Sequence, residues 1–141
     1  MLTEKDKVKY CEILGFLNQY LLKRFDYIKP PATFGISENL MDAKRVKMDL
    51  YLRFFDLKEL RERPTIVIAR IGFREKRSGH GRAFLQFISE IAVKYQYEFI
   101  ELESCNSNSR AFAKKFGFTF LDANETDCRI ESEKLRSYFY K

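Results

Sequence analysis

The feature that most constrains this chain is a three-part run in its middle. Thr65-Ile66-Val67-Ile68-Ala69-Arg70-Ile71 is apolar and mostly β-branched, the signature of a buried strand. Phe73-Arg74-Glu75-Lys76-Arg77-Ser78-Gly79-His80-Gly81-Arg82-Ala83 follows, a Gly-x-Gly turn surrounded by cations. From Arg82 to about Tyr95, apolar residues recur at helical spacing. The order is strand, glycine loop, helix start. Glycines let successive N–H groups point inward, and the helix dipole adds positive potential. One reading is a cradle for a phosphate or pyrophosphate. The other is a turn whose glycines serve geometry alone.

Charge distribution bears on that choice. Of the 26 Lys/Arg and 20 Asp/Glu in the chain, the segment 42–82 holds 12 and 6, so it carries the whole net charge of +6. Such a field attracts a polyanion, either a phosphorylated cofactor or a nucleic acid. A solvated basic face is the alternative. The 141 residues predict one domain, 1–141, large enough for a sizeable core. No apolar run approaches the roughly 20 residues of a membrane span, and the N-terminus is not a secretory signal. Cys11, Cys105 and Cys128 are odd in number and widely spaced, which gives no metal-ligand pair and no disulfide framework. A reducing cytoplasm is the expected compartment.

In chain order, residues 4–28 predict a helix. Thr3 is its N-cap, Asp6 approximates a capping box, and Tyr10, Leu14, Leu17, Leu21, Phe25 and Ile28 form its apolar stripe. That stripe packs on a sheet rather than a membrane. Residues 32–44 give little signal beyond a short strand at 34–36. Residues 46–55 alternate with period two, an antiparallel strand. Leu57 to Arg63 is a charged connection. The strand 65–73 is apolar on both faces except at Arg70, so it is central, and Gly72 predicts a bulge or a close approach. Glu98 to Ser104 is a second strand, parallel to the first because a helix joins them. Asn106 to Ser109 offers helix caps, a short helix runs to about Lys115, and Gly117 is its C-terminal glycine. Residues 118–121 predict a strand, 125–136 are unassigned, and Ser137-Tyr138-Phe139-Tyr140 predicts a last edge strand.

Three elements now stand in order: Lys76-Arg77-Ser78-Gly79-His80-Gly81 between strand and helix, Asn106 after the next strand, and Lys115-Phe116-Gly117-Phe118 closing the next helix. This arrangement resembles the GNAT superfamily of acyl-CoA-dependent N-acyltransferases, best over residues 64–121. The resemblance implies an α/β (α+β) fold. Its central sheet is mixed and mostly antiparallel, with a V-shaped splay between two parallel central strands and helices on both faces. It implies acetyl-CoA, or another acyl-CoA, as co-substrate and no metal. The backbone of Lys76, Arg77, Ser78, Gly79, His80, Gly81, Arg82 and Ala83 would hold the pyrophosphate. The pantetheine arm would pair with the strand near Arg70, Ile71 and Phe73. Asn106 would sit beside the pantetheine or serve as a helix cap, a place for which Asn108 competes.

The catalytic groups are less defined. Many members carry a Tyr four residues before the glycine of Gly-Phe, as general acid for the departing thiolate; here that position is Ala113. Tyr138, Tyr140 or Ser109 can replace it, or the thiolate can leave unassisted. Glu101 and Glu103 share one face of their strand and are candidate general bases, or else salt-bridged surface acids. His80, inside the loop, reads as a phosphate neighbour, and Cys105 as structural. The resulting expectation is acetyl transfer to an amine acceptor by direct attack in a ternary complex. Backbone N–H groups near Ile71 to Phe73 would stabilise the oxyanion. The acceptor class (small molecule, protein or RNA) is open, no membrane contact is expected, and an exposed last strand or the aromatic run Tyr138-Phe139-Tyr140 offers a homodimer contact. The competing expectation is a weakly active or inactive GNAT-fold protein. It would engage acyl-CoA, nucleic acid or a protein partner through its basic 42–82 segment.

Overall fold

Alternating burial along β3 and continuous burial at the start of β4 show how this sequence makes a sheet. In the computed structural model, which describes residues 2–56 and 61–140, β3 (Met48–Phe55) buries every second residue, and β4 (Thr65–Phe73) buries its first four. The sheet has seven strands in the order β1-β2-β3-β4-β5-β7-β6. The other strands are β1 (Thr33–Phe34), β2 (Leu40–Lys44), β5 (Phe99–Leu102), β6 (Thr119–Phe120) and β7 (Cys128–Glu131). Every neighbouring pair is antiparallel except β4 and β5, which are parallel. Flanking helices complete the mixed α/β architecture. The charged connection read at 57–63 falls largely on residues 57–60, outside the described ones.

Two irregularities in β4 matter for the site. Thr65 to Ile68 pair with Phe99 to Leu102, and the Glu103 N–H adds a bond to the Ile68 carbonyl at 3.2 Å. Beyond that point β4 continues to Phe73, still paired to β3 but with no partner on its β5 side. The two parallel strands therefore part. On the β3 side, Tyr51 faces Arg70 while Leu52 faces Ile68, which leaves Ala69 as the extra residue of a bulge. The bulge expected at Gly72 lies here instead. Gly72 pairs with Asp49, and a Cβ on it would sit 3.9 Å from the Asp49 carbonyl, so no close approach requires glycine there.

Helix α1 (Glu4–Phe25) opens with the capping box predicted from Thr3 and Asp6. It ends three residues before the predicted Ile28, because Asp26 adopts a left-handed conformation (φ 59°) that breaks the helix. Ile28 therefore leaves the apolar stripe and is 97% exposed. Tyr10 of α1 packs on Phe54 of β3, which packs on Tyr97 ahead of β5. Asp56 fastens the same three segments: it takes Lys9 at 2.7 Å, the Tyr97 hydroxyl at 2.9 Å and the Tyr10 hydroxyl. Burial, with the Asp56 carboxylate, raises both phenols above the usual tyrosine range.

The C-terminal end departs from the sequence reading. Residues 128–131 form β7 between β5 and β6, and 132–139 form helix α4 (Ser132–Phe139) against α2 (His80–Lys94). No strand covers 137–140. Leu135, Tyr138 and Phe139 stand at helical spacing. Leu135 is fully buried, and Tyr138 and Phe139 lie 5.0 and 5.8 Å from the Phe116 ring. Packing overrides the strand preference of a Tyr-Phe-Tyr run. The proposed dimer contact through a last strand loses its basis, since the sheet ends in β1 and β6, of two residues each. Among the described residues no helix is long and apolar enough to cross a membrane.

Candidate functional site

The parting of β4 and β5 opens a cleft of about 930 Å³. One wall is β4 from Ala69 to Phe73, and the other is the segment Leu102 to Asn106 leaving β5. One end is the loop from Glu75 to Arg82, and α3 (Ser107–Lys115) covers it with Asn108, Ser109, Phe112 and Lys115.

The loop owes its shape to two left-handed residues, Arg77 (φ 58°) and Gly79 (φ 76°). Gly79 is the N-cap of α2, and no side chain caps this helix. No acidic residue stands in its first turn. The first helical bond runs from the Ala83 N–H to the Gly79 carbonyl at 3.0 Å. The N–H groups of His80, Gly81 and Arg82 precede it and are available to an anion. Ala83, by contrast, spends its N–H inside the helix and does not line the cleft.

Sequence reasoning missed the residue that holds this loop. Arg24, in the last turn of α1, donates from Nε to His80 Nδ1 at 2.9 Å and from a terminal nitrogen to the Ser78 carbonyl at 3.4 Å. A guanidinium only donates, so Nδ1 accepts and the imidazole carries its proton on Nε2. The ring is wedged between Phe25 (4.6 Å) and Phe73 (5.6 Å). No local motif links positions 24 and 80. Gly81 has a separate reason to be glycine: a Cβ there would stand 3.0 and 3.1 Å from two carbons of the Phe112 ring. A side chain at 81 therefore requires the Phe112 ring to give by a few tenths of an ångström.

Ile71, Phe73, Lys76, Arg77, Ser78, Gly79, His80, Gly81, Arg82 and Asn106 all line the cleft. Asn106 serves as the N-cap of α3: its Oδ1 accepts the Ser109 N–H at 3.0 Å, and the Ser109 hydroxyl accepts the Asn106 N–H at 2.8 Å. The catalytic candidates separate. Glu103 lines the cleft, with its carboxylate 3.1 Å from Arg53 and 4.0 Å from Arg61. Glu101, two residues earlier, is buried in an ion pair with Arg129 at 2.6 Å and Arg61 at 3.5 Å, off the cleft wall. Tyr138 and Tyr140 also lie off it, and Ala113 is fully buried away from it. Ser109 reaches the cleft. Asp49, which the sequence reading passed over, lines it too, 3.0 Å from Arg70 Nε. Its place opposite Gly72 becomes visible only once β3 is set in register with β4. Cys105 is on the wall, and burial beside it pushes the Cys128 thiol up.

A mostly antiparallel sheet with one splayed parallel pair, closed by a glycine loop and an uncapped helix, is a GNAT-like fold. Comparison with solved structures agrees. The AtaT–AtaR complex bound to DNA matches with a TM-score of 0.56 at 16% identity, over 72% of this chain and 74% of that one. The KacTA–DNA complex gives 0.56 at 14% identity, over 92% and 85%. An AtaT Y144F toxin with the C-terminus of its antitoxin and acetyl-CoA gives 0.55 at 14%, over 72% and 71%. No family model and no curated protein matches the sequence.

Proposed function

We propose that the chain, folded as one domain, is an acyl-CoA-dependent N-acyltransferase. The observation that carries this reading is a continuous cleft running from the open edge of β4 to the uncapped start of α2. A pyrophosphate suits the converging N–H groups of His80, Gly81 and Arg82, beside Lys76 and Arg77. An extended pantetheine suits the free edge of β4 from Arg70 to Phe73. The similarity to AtaT, solved with acetyl-CoA, supports acetyl-CoA as the acyl donor.

The chemistry follows from what stands along that path. An amine acceptor must lose a proton before it attacks the thioester carbonyl. Of the carboxylates lining the cleft, Glu75 belongs to the loop, and Glu103 and Asp49 on the strand walls are the candidates to take it, directly or through water. The bulge at Ala69 interrupts the β3–β4 ladder at the inner end of the cleft, which makes backbone there a candidate donor to the oxyanion. This is deeper than the Ile71 to Phe73 site expected from sequence. Of the hydroxyl donors named from the sequence, Ser109 is the one on the cleft wall and would protonate the leaving thiolate.

A second reading is favoured by one observation: neither Tyr138 nor Tyr140 lines the cleft, and the family's tyrosine position is a buried alanine. On this reading the protein binds acyl-CoA with little turnover. Calorimetric titration with acetyl-CoA, followed by thiol release with a panel of amines, peptides and aminoacyl-tRNA, separates the two. Binding with turnover upholds the enzyme. Binding without turnover selects the second reading. A wild-type chain that ignores acetyl-CoA overturns both.

A further inference from the structure

Two of the most exposed aliphatic side chains among the described residues stand on segments that are bonded to each other and carry several exposed cations. Ile28 is 97% exposed just after α1, and Val46 is 76% exposed at the β2–β3 turn. Three bonds join the segments that carry them. The Lys47 N–H donates to the Tyr27 hydroxyl at 3.4 Å, the Lys47 ammonium donates to the Phe25 carbonyl at 2.9 Å, and the Arg74 N–H donates to the Lys47 carbonyl at 3.0 Å. Lys29, Lys44, Arg45, Lys47 and Arg74 are exposed around them. Ion pairs among the described residues engage Arg53, Arg61, Arg63 and Arg70 of the basic segment. None engages Lys44, Arg45, Lys47 or Arg74. Lys44, Arg45, Lys47 and Arg74 thus stand outside the ion pairs of the described residues, with Lys29 nearby in the chain after α1 and Asp26 as an exposed acid at the end of α1.

We infer that this end docks on an anionic phospholipid surface, with Ile28 and Val46 entering the headgroup–acyl boundary and the cations meeting lipid phosphates. Each element of the surface selects against another occupant. A polynucleotide backbone would satisfy the cations but leave both aliphatic tips in water. A second copy of the chain would bring like charges together. A folded acidic partner takes apolar anchors into a pocket, and two convex turn tips fit a deformable interface better. Ile36, 99% exposed at the opposite end beyond β1, has no such surroundings. The expectation of no membrane contact considered spanning and amphipathic helices; this surface is made of turns. The inference is independent of the acyltransferase reading.

The test uses the full chain and vesicles of phosphatidylcholine, with or without phosphatidylglycerol. The chain has no tryptophan, so Val46→Trp supplies a single fluorescent reporter. The expected result is co-sedimentation with the anionic vesicles only, weakening as salt rises above about 0.1 M, and a blue shift of the reporter. Ile28→Ser with Val46→Ser should lower the partition about tenfold, since the tips' burial is what the bilayer adds to charge attraction. Circular dichroism should be unchanged, both positions being solvent-exposed. Three results would overturn the inference. One is no sedimentation with anionic vesicles at low salt. The second is sedimentation that the double substitution leaves intact. The third is tight retention of an RNA duplex, insensitive to that substitution, by a protein that ignores vesicles.

Discussion

The N-termini of α1 and α3 close on themselves, whereas that of α2 stays open. Thr3 with Asp6, and Asn106 with Ser109, exchange reciprocal bonds that use the N–H groups of the N-cap and of the third helical residue. At α2 the N-cap is a left-handed glycine, no side chain reaches back, and the first turn holds no acid. Arg24 fixes the loop from outside by binding His80 and the Ser78 carbonyl, leaving the helix N–H groups themselves untouched. A helix start that forgoes a few tenths of a kcal/mol of capping while pointing into a cleft suits an external anion.

Closing the open terminus gives the largest expected effect. Arg82 is the third residue of α2, the position from which a capping-box carboxylate reaches back. Arg82→Glu should cost about 100-fold in acetyl-CoA affinity by calorimetry, by placing a carboxylate against the pyrophosphate. Stability should move by less than about 1 kcal/mol, because the gain from the dipole offsets loss of the contact with Phe139. An affinity that stays within threefold would remove α2 from the binding site. Arg24→Gln comes next. Loss of its bonds to His80 and Ser78 should weaken acetyl-CoA by about tenfold, the worth of about one hydrogen bond, with the global unfolding midpoint nearly unchanged.

The two closed termini sharpen the contrast. Thr3→Ala and Asn106→Ala should each cost about 1 kcal/mol in denaturant unfolding. Only Asn106→Ala should also change acetyl-CoA affinity, because Asn106 lines the cleft and Thr3 does not; equal affinities would make both purely structural caps. The smallest effect concerns pH. The Thr3 N–H and hydroxyl hold Asp6 below its ordinary value, and the Asp127 N–H and Thr126 hydroxyl do the same for Asp122. A lowered carboxylate contributes stability that is present above about pH 4 and is lost as pH falls through the folded pKa. Asp6→Asn and Asp122→Asn should therefore flatten the acid limb of the stability curve and leave acetyl-CoA affinity at pH 7 unchanged.

Much of this was legible before the structure. The strand 65–73, the helix after the glycine loop, the parallel strand and the left-handed Gly117 all follow from local pattern. What stayed hidden needed partners distant in sequence. The strands β2 and β7 carry mixed residues whose burial depends on neighbours, and α4 is helical because Leu135, Tyr138 and Phe139 find α2 and Phe116. The candidate base Glu101 looked equivalent to Glu103 by period two. Arg129 and Arg61, from other parts of the chain, engage it in the interior.

By itself, the sequence determined that a glycine turn flanked by cations would join a buried strand to an amphipathic helix. Those are properties of a few adjacent residues. Tertiary structure decided that β4 outruns β5, that Ala69 rather than Gly72 is the extra residue, and that Arg24 rather than a local cap steadies the loop. It also decided that Ile28 projects into solvent. Each of these depends on register or on contacts across dozens of residues, where pairing geometry and packing, not local preference, set the energy.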